Sequence, residues 1–397
     1  MSALGSVRVE DGGRTVAARE HLTSLRIAYV GSLDHGGTCL QRMEAMQALG
    51  HEVIAIDTQP PPPTQFRRRT WYRVKSKVFR LGYDRIGPLD CALPDYAGAN
   101  AAILGALQKQ SFDVLWLDKA LTIESDTLLQ AKAMQPELQI VGYSPDDMAG
   151  RHNQSRQFLA HLPYYDHYFT TKPPNVTELA QLGCPRVHLA GNAFAPHLHR
   201  PVEISAADRR RLGGPVGFIG DFERERADAV SFLARHGVPI RVWGGGWRRA
   251  VRPVRGLILE DRWLWGEDYA RALCSFDINL AFLRRVNRDV ITTRSIEIPA
   301  CGAFMLAERT AMHQATFEEG KEAEFFDSRE ELLETVRYYL AHPDERRRIA
   351  AAGRERCLRD GYSNDDRIRS MLEIVTSARS PLGSIATQGR VRHAARA

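Results

Sequence analysis

The chain has 397 residues, 44% of them hydrophobic, and a formal net charge of +6. Its length favours two or three domains, and its hydrophobic fraction is that of a globular protein. No apolar run in the sequence approaches the roughly 20 residues needed to cross a bilayer. The cysteines include no Cys-x-x-Cys pair. The composition therefore argues against a membrane-spanning protein, a zinc site and a disulfide framework.

The positive charge is compatible with a nucleic acid, an anionic membrane surface or a phosphorylated small molecule as partner. The basic residues accompany no zinc-finger, RNA-recognition or helix-turn-helix pattern, so nucleic-acid binding is not expected. Residues 1–23 hold acidic residues and lack the apolar centre of a secretory signal, which predicts a disordered leader on a cytoplasmic protein. Residues 379–397 are basic and poor in apolar residues, which predicts a disordered tail.

From residue 25 onwards, short apolar strands alternate with amphipathic helices. The first elements are a strand, "LRIAYVG", a helix closed by Gly50, "TCLQRMEAMQALG", and a second strand, "HEVIAIDT". Further short, β-rich runs are separated by helical stretches: "FDVLWLD", "LQIVGYS", "DHYFTT" and "RVHLA". This alternation is typical of parallel β-α-β units, so residues 24–192 are predicted to form a doubly wound α/β domain.

A polar stretch with prolines and glycines, residues 193–213, is predicted to be a linker, after which the same alternation restarts. The strand candidates of this half are "PVGFIG", "IRVWGGG", "LILE", "DINLAF" and "AFMLAE". Residues 214–378 are therefore predicted to form a second α/β domain. Two such domains leave a cleft between them, and ligands of parallel sheets collect at the carboxyl ends of the strands.

Residues 66–85 form a basic segment in which arginines and lysines alternate with aromatic and aliphatic residues. Such a segment can lie on an anionic membrane, which would place the protein at the inner membrane face, or cradle a phosphorylated acceptor. The alternative is a helix over the sheet whose basic face is merely solvated, and this is the interpretation that we favour.

Two adjacent glycines, Gly36 and Gly37, stand between the first predicted strand and the first predicted helix. Such a turn can bring backbone N–H groups up to a phosphate, although glycines in a β-α turn are also common for steric reasons alone. His35 precedes them and is a candidate acceptor-binding residue, with a solvated loop position as the alternative. Trp243 and Trp247 flank three glycines, where they either stack on a nucleotide base or pack around the turn.

Charged residues follow the predicted strand "DINLAFL". Asp289 and Glu297 lie at its cleft end if the sheet is parallel, with Arg294 between them, and Gly302 closes the helix that carries Glu297. Arg226 stands at the start of the helix after "GFIG". It either faces the cleft and meets an anion, or lies in a solvated turn beside acidic neighbours.

A long stretch at residues 287–358 resembles the CgeB-like (spore-maturation-type) branch of GT-B glycosyltransferases, in the part that corresponds to the glycosyl transferase group 1 domain. Its sequence is "NRDVITTRSIEIPACGAFMLAERTAMHQATFEEGKEAEFFDSREELLETVRYYLAHPDERRRIAAAGRERCL". Weaker similarity covers the chain from residue 25 to about 375, through "VWGGGW", "GFIGDFERER", "TTKPPNVTELAQLG" and "GYSPDD". The resemblance implies an α/β protein of the GT-B fold, with two Rossmann-like doubly wound domains facing across a cleft.

The resemblance also implies roles for individual residues. In related retaining enzymes, a Glu-x7-Glu motif ends in a run like Glu-Ala-Met-Ala-Cys-Gly. Its second glutamate binds the ribose hydroxyls of the nucleotide, and its first lies near the donor sugar. Glu297 in "EIPACG" matches the second glutamate, which implies that it accepts hydrogen bonds from a cis-diol. Asp289 occupies the place of the first, and Gly36 and Gly37 match the glycine pair that approaches the diphosphate.

This chain departs from its relatives at two places. They carry an arginine directly after the glycine of the "GFIG"-like strand and a lysine further on, whereas here these positions are Asp221 and Arg226. The diphosphate charge is therefore expected to be balanced by Arg226 and Arg294. A histidine common in the relatives near the fourth strand is replaced by "SPDD", where Asp146 is the candidate catalytic residue alongside Asp289. The expected donor site comprises Gly36, Gly37, Arg226, Arg294, Glu297 and Gly302.

The function implied by the resemblance is transfer of a sugar from a nucleotide diphosphate-sugar, with retention of configuration and without a cofactor or a metal ion. The acceptor can be a glycan, a lipid-linked molecule or a protein. Two alternatives stay open at this point. One is a nucleotide-sugar epimerase of the same fold, and the other is a non-catalytic sugar-binding or surface-assembly protein that kept the fold.

Overall fold

The structure is a computed structural model and describes residues 24–59 and 92–377. These residues form two parallel six-stranded sheets, each covered by helices on both faces. The strand orders are β2-β1-β3-β4-β5-β6 in the N-terminal sheet and β12-β11-β10-β7-β8-β9 in the C-terminal sheet. The basic segment at residues 66–85, the predicted leader and the predicted tail lie outside the described residues.

The N-terminal sheet follows from the alternation in the sequence, and the strands predicted for this half are confirmed. Its strands are nearly continuous hydrophobic runs because both faces of the sheet are covered. They are β1 Arg26–Gly31, β2 Glu52–Asp57, β3 Val114–Asp118, β4 Gln139–Ser144, β5 His167–Thr170 and β6 Val187–Leu189. The helices of this half are α1 Thr38–Ala48, α2 Ala99–Lys109, α3 Ser125–Met134, α4 Arg156–His161 and α5 Pro173–Gln181.

The C-terminal sheet is also parallel throughout, and its five predicted strands are confirmed. They are β7 Gly214–Ile219, β8 Ile240–Trp243, β9 Leu257–Leu259, β10 Phe276–Ala281 and β11 Met305–Glu308. A sixth strand, β12 Glu324–Phe326, was not predicted. Helix α6, Ala206–Leu212, lies within the stretch predicted to be a linker. The further helices are α7 Arg224–Arg235, α8 Trp247–Ala250, α9 Gly266–Ser275, α10 Arg294–Ala300, α11 Ala311–Thr316, α12 Arg329–Ala341 and α13 Pro343–Arg359. Short 3₁₀ helices cover Arg151–Asn153, Leu162–Tyr164 and Arg285–Asn287.

The final helix, α14 Asn364–Ser377, returns to the N-terminal domain. Its apolar residues join α1 in covering one face of the N-terminal sheet, where they pack in a core with residues such as Tyr29 and Trp116. The sequence prediction assigned this stretch to the second domain because it follows that domain along the chain. The structure places it on the first, with Ile368, Met371, Leu372 and Val375 in the core.

A charged network lies buried in the N-terminal domain, directly behind the cleft. The side chain of Asp118, at the end of β3, is 0% exposed and accepts from Nε of Arg42 at 2.6 Å. Its Oδ1 accepts from a second nitrogen of Arg42 at 3.0 Å, and the Tyr29 hydroxyl donates to Oδ2 at 2.6 Å. The Arg42 guanidinium lies 4.4 Å from the ring centroid of Tyr143. This network ties α1, β1, β3 and β4 together.

Within residues 24–59 and 92–377, no helix is both long enough and apolar enough to pass through a bilayer.

Candidate active site

The carboxyl ends of the two parallel sheets border a cavity of about 370 Å³. The loops after β1, β4 and β5 line it on the N-terminal side, and the loops after β7, β9 and β10 line it on the C-terminal side. In the C-terminal sheet the order of the strands reverses between β7 and β10. Ligands of such sheets bind outside the carboxyl ends of the strands at this switch point, so the cavity is where a ligand is expected.

Two arginines meet at the switch point. The guanidinium carbons of Arg226, on α7, and Arg294, at the start of α10, lie 5.6 Å and 5.5 Å from the ring centroid of Phe218. Burial and the nearby charge of Arg294 lower the pKa of Arg226 to about 10. The nearest carboxylate to Arg226 is Glu223, at 3.7 Å.

Arg294 forms no ion pair with any residue in the described part of the chain. The Nε atoms of Arg226 and Arg294 are buried and have no hydrogen-bond partner among the described residues. Both side chains line the cavity. Two guanidinium groups that repel each other, without a carboxylate to bridge them, form a site suited to an anion with several acceptor oxygens.

Glu297 lies on α10, one turn after Arg294, and its carboxylate is held by two groups. The hydroxyl of Tyr269 donates to Oε2 at 2.6 Å, and Nε2 of His199 lies 3.6 Å from Oε1. Nδ1 of His199 accepts from the backbone N–H of Ala195, so the ring proton resides on Nε2 and faces Glu297.

Burial determines the protonation of these two neighbours. It raises the pKa of Tyr269 well above its ordinary value and lowers the pKa of His199. Both are therefore neutral at pH 7, and of the two only Tyr269 lies within hydrogen-bond distance of Glu297. They orient the Glu297 carboxylate in the cavity wall, and because a carboxylate has about four lone-pair sites, it can still accept from ligand hydroxyls.

We predict that Glu297→Gln leaves the fold intact and weakens the binding of a nucleoside diphosphate by about ten-fold or more. A lost charge-assisted hydrogen bond costs about 1.5 to 3 kcal/mol, and the glutamine still accepts from Tyr269. Isothermal calorimetry measures the affinity. The matched control is Glu324→Gln, because Glu324 accepts from Tyr339 at 2.7 Å in a similar pair that lies outside the cavity. Equal nucleoside diphosphate affinity of wild type and Glu297→Gln would show that Glu297 does not accept hydrogen bonds from the ligand.

Asp289 lines the cavity and forms an ion pair across it. Its Oδ1 lies 2.5 Å from Nζ of Lys172, which follows β5 in the N-terminal domain. The side chains of Lys172 and Asp289 are 4% and 6% exposed. Lys172 lies at the N-terminal end of α5, where its positive charge opposes the helix dipole. The ion pair with Asp289 of the C-terminal domain compensates this unfavourable interaction.

Asp146 also lines the cavity, on the N-terminal side, and pairs with Lys119. Burial alone would raise the pKa of Asp146, but the charges of Lys119 and Lys172 lower it overall. Lys119 has a left-handed backbone with a φ of 45°. A non-glycine residue in this conformation is uncommon and is often found at functional sites.

The other predicted site residues lie at the edge of the cavity or away from it. Gly36 lines it with a φ of 79°, and a Cβ there would lie 3.0 Å from Cβ of Trp265, so this glycine allows the two domains to meet closely. Gly37 and the exposed His35 are not part of the lining. Gly302 ends α10 with a φ of 68° and packs against the Pro201 ring, again outside the lining.

The structure decides between the two alternatives for Trp243 and Trp247. Trp243 and Trp247 are 0% exposed, and their indole nitrogens donate to backbone carbonyls, so they are packing residues. Trp263 and Trp265 line the cavity and are 57% and 56% exposed. Asp221, which replaces a cation of the relatives, accepts from the Trp263 indole at 2.7 Å and thereby fixes that loop.

Sequence reasoning missed Lys172, His199 and Tyr269. Each of them contacts a predicted residue, Asp289 or Glu297, only through the folded structure. Lys172 and Asp289, for example, are 117 positions apart. A lysine directly after a strand at a helix start was the one local signal, because a cation there is unfavourable without a partner. Within the described ranges, no group of three or more His, Cys, Asp or Glu residues is arranged to hold a metal ion.

Comparison with known proteins places this geometry in a wider context. Residues 224–373 match the family model described as "Glycosyl transferase-like". The curated proteins include no match to the chain. The family match covers the stretch that supplies Arg226, Arg294 and Glu297, and it supports glycosyl transfer as the general activity.

Solved structures of similar shape cover nearly the whole chain. Sucrose-phosphate synthase from Thermosynechococcus elongatus is 15% identical, with a TM-score of 0.59 over 89% of this chain and 99% of the synthase. A glycosyltransferase from Rickettsia africae is 13% identical, with a TM-score of 0.58 over 90% of this chain and 99% of that protein. Anabaena HepE in complex with UDP-glucose is 12% identical, with a TM-score of 0.53 over 89% and 100%.

These similarities establish the fold. The chain has the GT-B fold, with two Rossmann-like domains facing across a cleft, and the predicted fold class is confirmed.

Proposed function

We propose that this protein transfers a sugar from a nucleotide diphosphate-sugar to an acceptor hydroxyl group. The observation that carries the proposal is the guanidinium pair of Arg226 and Arg294 at the switch point, which no carboxylate of the described residues bridges. A diphosphate has the charge and the oxygen atoms to join the two groups. The presence of UDP-glucose in the HepE complex, a protein of the same fold, makes UDP-sugars the first donors to test.

The chemistry follows from the placement of these groups. The acceptor oxygen forms a bond to the anomeric carbon while the bond from that carbon to the β-phosphate oxygen breaks. The acceptor proton passes to the departing diphosphate. Negative charge grows on the diphosphate as it leaves, so Arg226 and Arg294 stabilise the transition state more than the bound donor. Glu297 accepts from the ribose hydroxyls, and Asp289 lies beside the donor sugar.

Retention of configuration is part of the proposal. An inverting transfer requires a side-chain base that removes the acceptor proton. Asp146 is poorly suited because Lys119 and Lys172 outweigh the effect of its burial and lower its pKa. Asp289 already accepts from Lys172 and from two further N–H groups. If the acceptor proton passes to the departing diphosphate on the same face of the sugar, neither Asp146 nor Asp289 has to act as a base.

The CgeB-like placement and the acceptor are the finer parts of the proposal, and they rest on the resemblance of residues 287–358. A glycan, a lipid-linked molecule or a protein can present the acceptor hydroxyl.

The test begins with binding. UDP, GDP, ADP and the corresponding nucleosides are screened by thermal shift, and a ligand at 100 times its dissociation constant adds roughly 2.7 kcal/mol to stability. We expect one nucleoside diphosphate to stabilise the protein more than its nucleoside does. The sugar derivatives of that nucleotide are then incubated with the protein, and products are identified by NMR spectroscopy. The anomeric configuration of the product reports retention.

The outcomes separate the three functions. Release or transfer of the donor sugar with its ring carbons unchanged supports a glycosyltransferase. A free sugar inverted at one ring carbon, formed without an acceptor, indicates an epimerase. Binding without any turnover above background indicates a sugar-binding protein that kept the fold.

We predict that activity does not require a divalent metal ion. The leaving diphosphate is neutralised by Arg226 and Arg294 in the proposed site, which is the task that a metal ion would otherwise perform. Turnover of the donor is measured after treatment with EDTA and removal of the chelator, and it should equal that of untreated protein. Loss of turnover that manganese or magnesium restores would show that the prediction is wrong.

A further inference from the structure

Lys172 is a buried lysine in the wall of the cavity. Its side chain is 4% exposed, and its Nζ lies 2.5 Å from Oδ1 of Asp289. Lysine is almost never fully buried unless it is paired. Here the partner belongs to the other domain, so the ion pair joins the two halves of the site inside the cavity.

Asp289 is held in one orientation by several donors. Besides Lys172, the side-chain amide of Asn287 donates to Oδ1 at 2.9 Å, and the backbone N–H of Arg284 donates to Oδ2 at 3.2 Å. Both carboxylate oxygens are therefore engaged. The donors from its own loop fix Asp289 within the C-terminal domain, and Lys172 is the donor that comes from the N-terminal domain.

Other ion pairs, formed by Arg288, also hold the two domains together. Arg288 donates to Asp147 at 2.5 Å and 2.7 Å and to Glu178 at 2.7 Å and 2.6 Å. None of these residues lines the cavity. Because Arg288 already joins the two domains away from the cavity, the Lys172–Asp289 pair in the cavity wall is placed to act on a bound ligand as well.

We propose that Lys172 is a positioning residue whose ammonium group fixes the Asp289 carboxylate toward the donor sugar, so that the sugar is oriented only when both domains contribute to the site. This inference rests on the proposed function. It makes the N-terminal domain responsible for aligning a carboxylate of the C-terminal domain that lies beside the donor sugar.

The first experiment replaces the lysine by a side chain of similar length without charge. Lys172→Met should lower kcat for the nucleotide sugar that wild type turns over by about 100-fold, because a displacement of about 1 Å can cost that much. The dissociation constant of the corresponding nucleoside diphosphate should stay within about twofold, since Lys172 acts on the sugar. The control is Lys132→Met, which removes an N-terminal-domain ion pair of 2.6 Å, to Asp166, outside the cavity, and should not change kcat.

The decisive experiment exchanges the charges. Lys172→Asp combined with Asp289→Lys restores an interdomain ion pair but puts an ammonium where the carboxylate is needed. We expect kcat of this double variant to stay low, because an ammonium group at position 289 cannot accept from Arg284 and Asn287 and so does not replace the carboxylate. A kcat within about threefold of wild type would overturn the inference, because it would show that any ion pair suffices.

A third variant covers the case in which the uncharged variant does not fold. Lys172→Arg keeps the charge, but its larger planar head displaces Asp289, so kcat should fall by about tenfold or more at unchanged diphosphate affinity. A wild-type kcat in this variant, or in Lys172→Met, would contradict the role of Lys172 but leave the proposed function intact. A wild-type protein that turns over no nucleotide sugar would instead contradict the proposed function and, with it, this inference.

Discussion

Arg226→Ala and Arg294→Ala are each expected to weaken UDP binding by about 10-fold to 100-fold, while the affinity for uridine stays within about twofold. Each guanidinium would lose charge-assisted hydrogen bonds to the diphosphate, worth about 1.5 to 3 kcal/mol. The nucleoside lacks the phosphates, so the difference between the two ligands isolates the effect. Calorimetry with both ligands on each variant provides the measurement.

The control for these variants is Arg329→Ala. Arg329 lies 5.0 Å from the ring centroid of Phe232, a cation-π contact similar to that of Arg294 with Phe218, but it does not line the cavity. UDP affinity should therefore not change in Arg329→Ala. If uridine lost as much affinity as UDP in the cavity variants, the two arginines would contact the nucleoside and the phosphate site would lie elsewhere.

Asp118→Ala is expected to destabilise the N-terminal domain by roughly 3 to 5 kcal/mol. The substitution removes the only carboxylate that pairs with Arg42 among the described residues and leaves its guanidinium buried. It also removes the acceptor of the Tyr29 hydroxyl. Urea denaturation followed by circular dichroism measures the loss. Because the protein has two domains, the transition of the N-terminal domain must be resolved separately.

Two further variants test whether the unpaired buried charge of Arg42 causes the loss of stability. Replacing the buried pair together, as Arg42→Met with Asp118→Leu, should recover most of the loss, because an apolar pair needs no desolvation of charge. Asp277→Ala removes a partner of Arg346 and of Arg209, but the Asp277 side chain is 24% exposed, so it should cost less than Asp118→Ala. A loss of less than about 1 kcal/mol in Asp118→Ala would mean that Arg42 finds another partner or water.

The sequence was sufficient for the fold because parallel sheets have a strong local pattern. Strands buried on both faces are short apolar runs, and helices with one buried stripe separate them, so most elements could be identified on their own, although the three-residue strand β12 was missed. The arrangement of α14 could not be identified in this way. An amphipathic helix shows that it covers a sheet, but its sequence does not show which of two similar sheets it covers.

The residues of the candidate site that could be predicted lie in short motifs at the ends of strands. Asp289, Arg294 and Glu297 follow one strand, so a single motif pointed to all three. Lys172 and Tyr269 come from other elements, and only the folded chain brings them to Asp289 and Glu297. The same limit applies to Gly36. Its small size is needed for contact with Trp265 of the other domain, which its own sequence surroundings do not show.

The return of α14 to the N-terminal domain has a consequence for biosynthesis. Residues 364–377 cover one face of the N-terminal sheet, which contains β1. The core on that face therefore needs residues from both ends of the described chain. As the polypeptide leaves the ribosome, the C-terminal domain can complete its own sheet before α14 emerges, whereas the N-terminal domain cannot cover its sheet. The usual N-terminal-first order of folding during synthesis is therefore partly reversed. Until α14 has emerged, the apolar face around Tyr29 and Trp116 is exposed, and a chaperone can act on it.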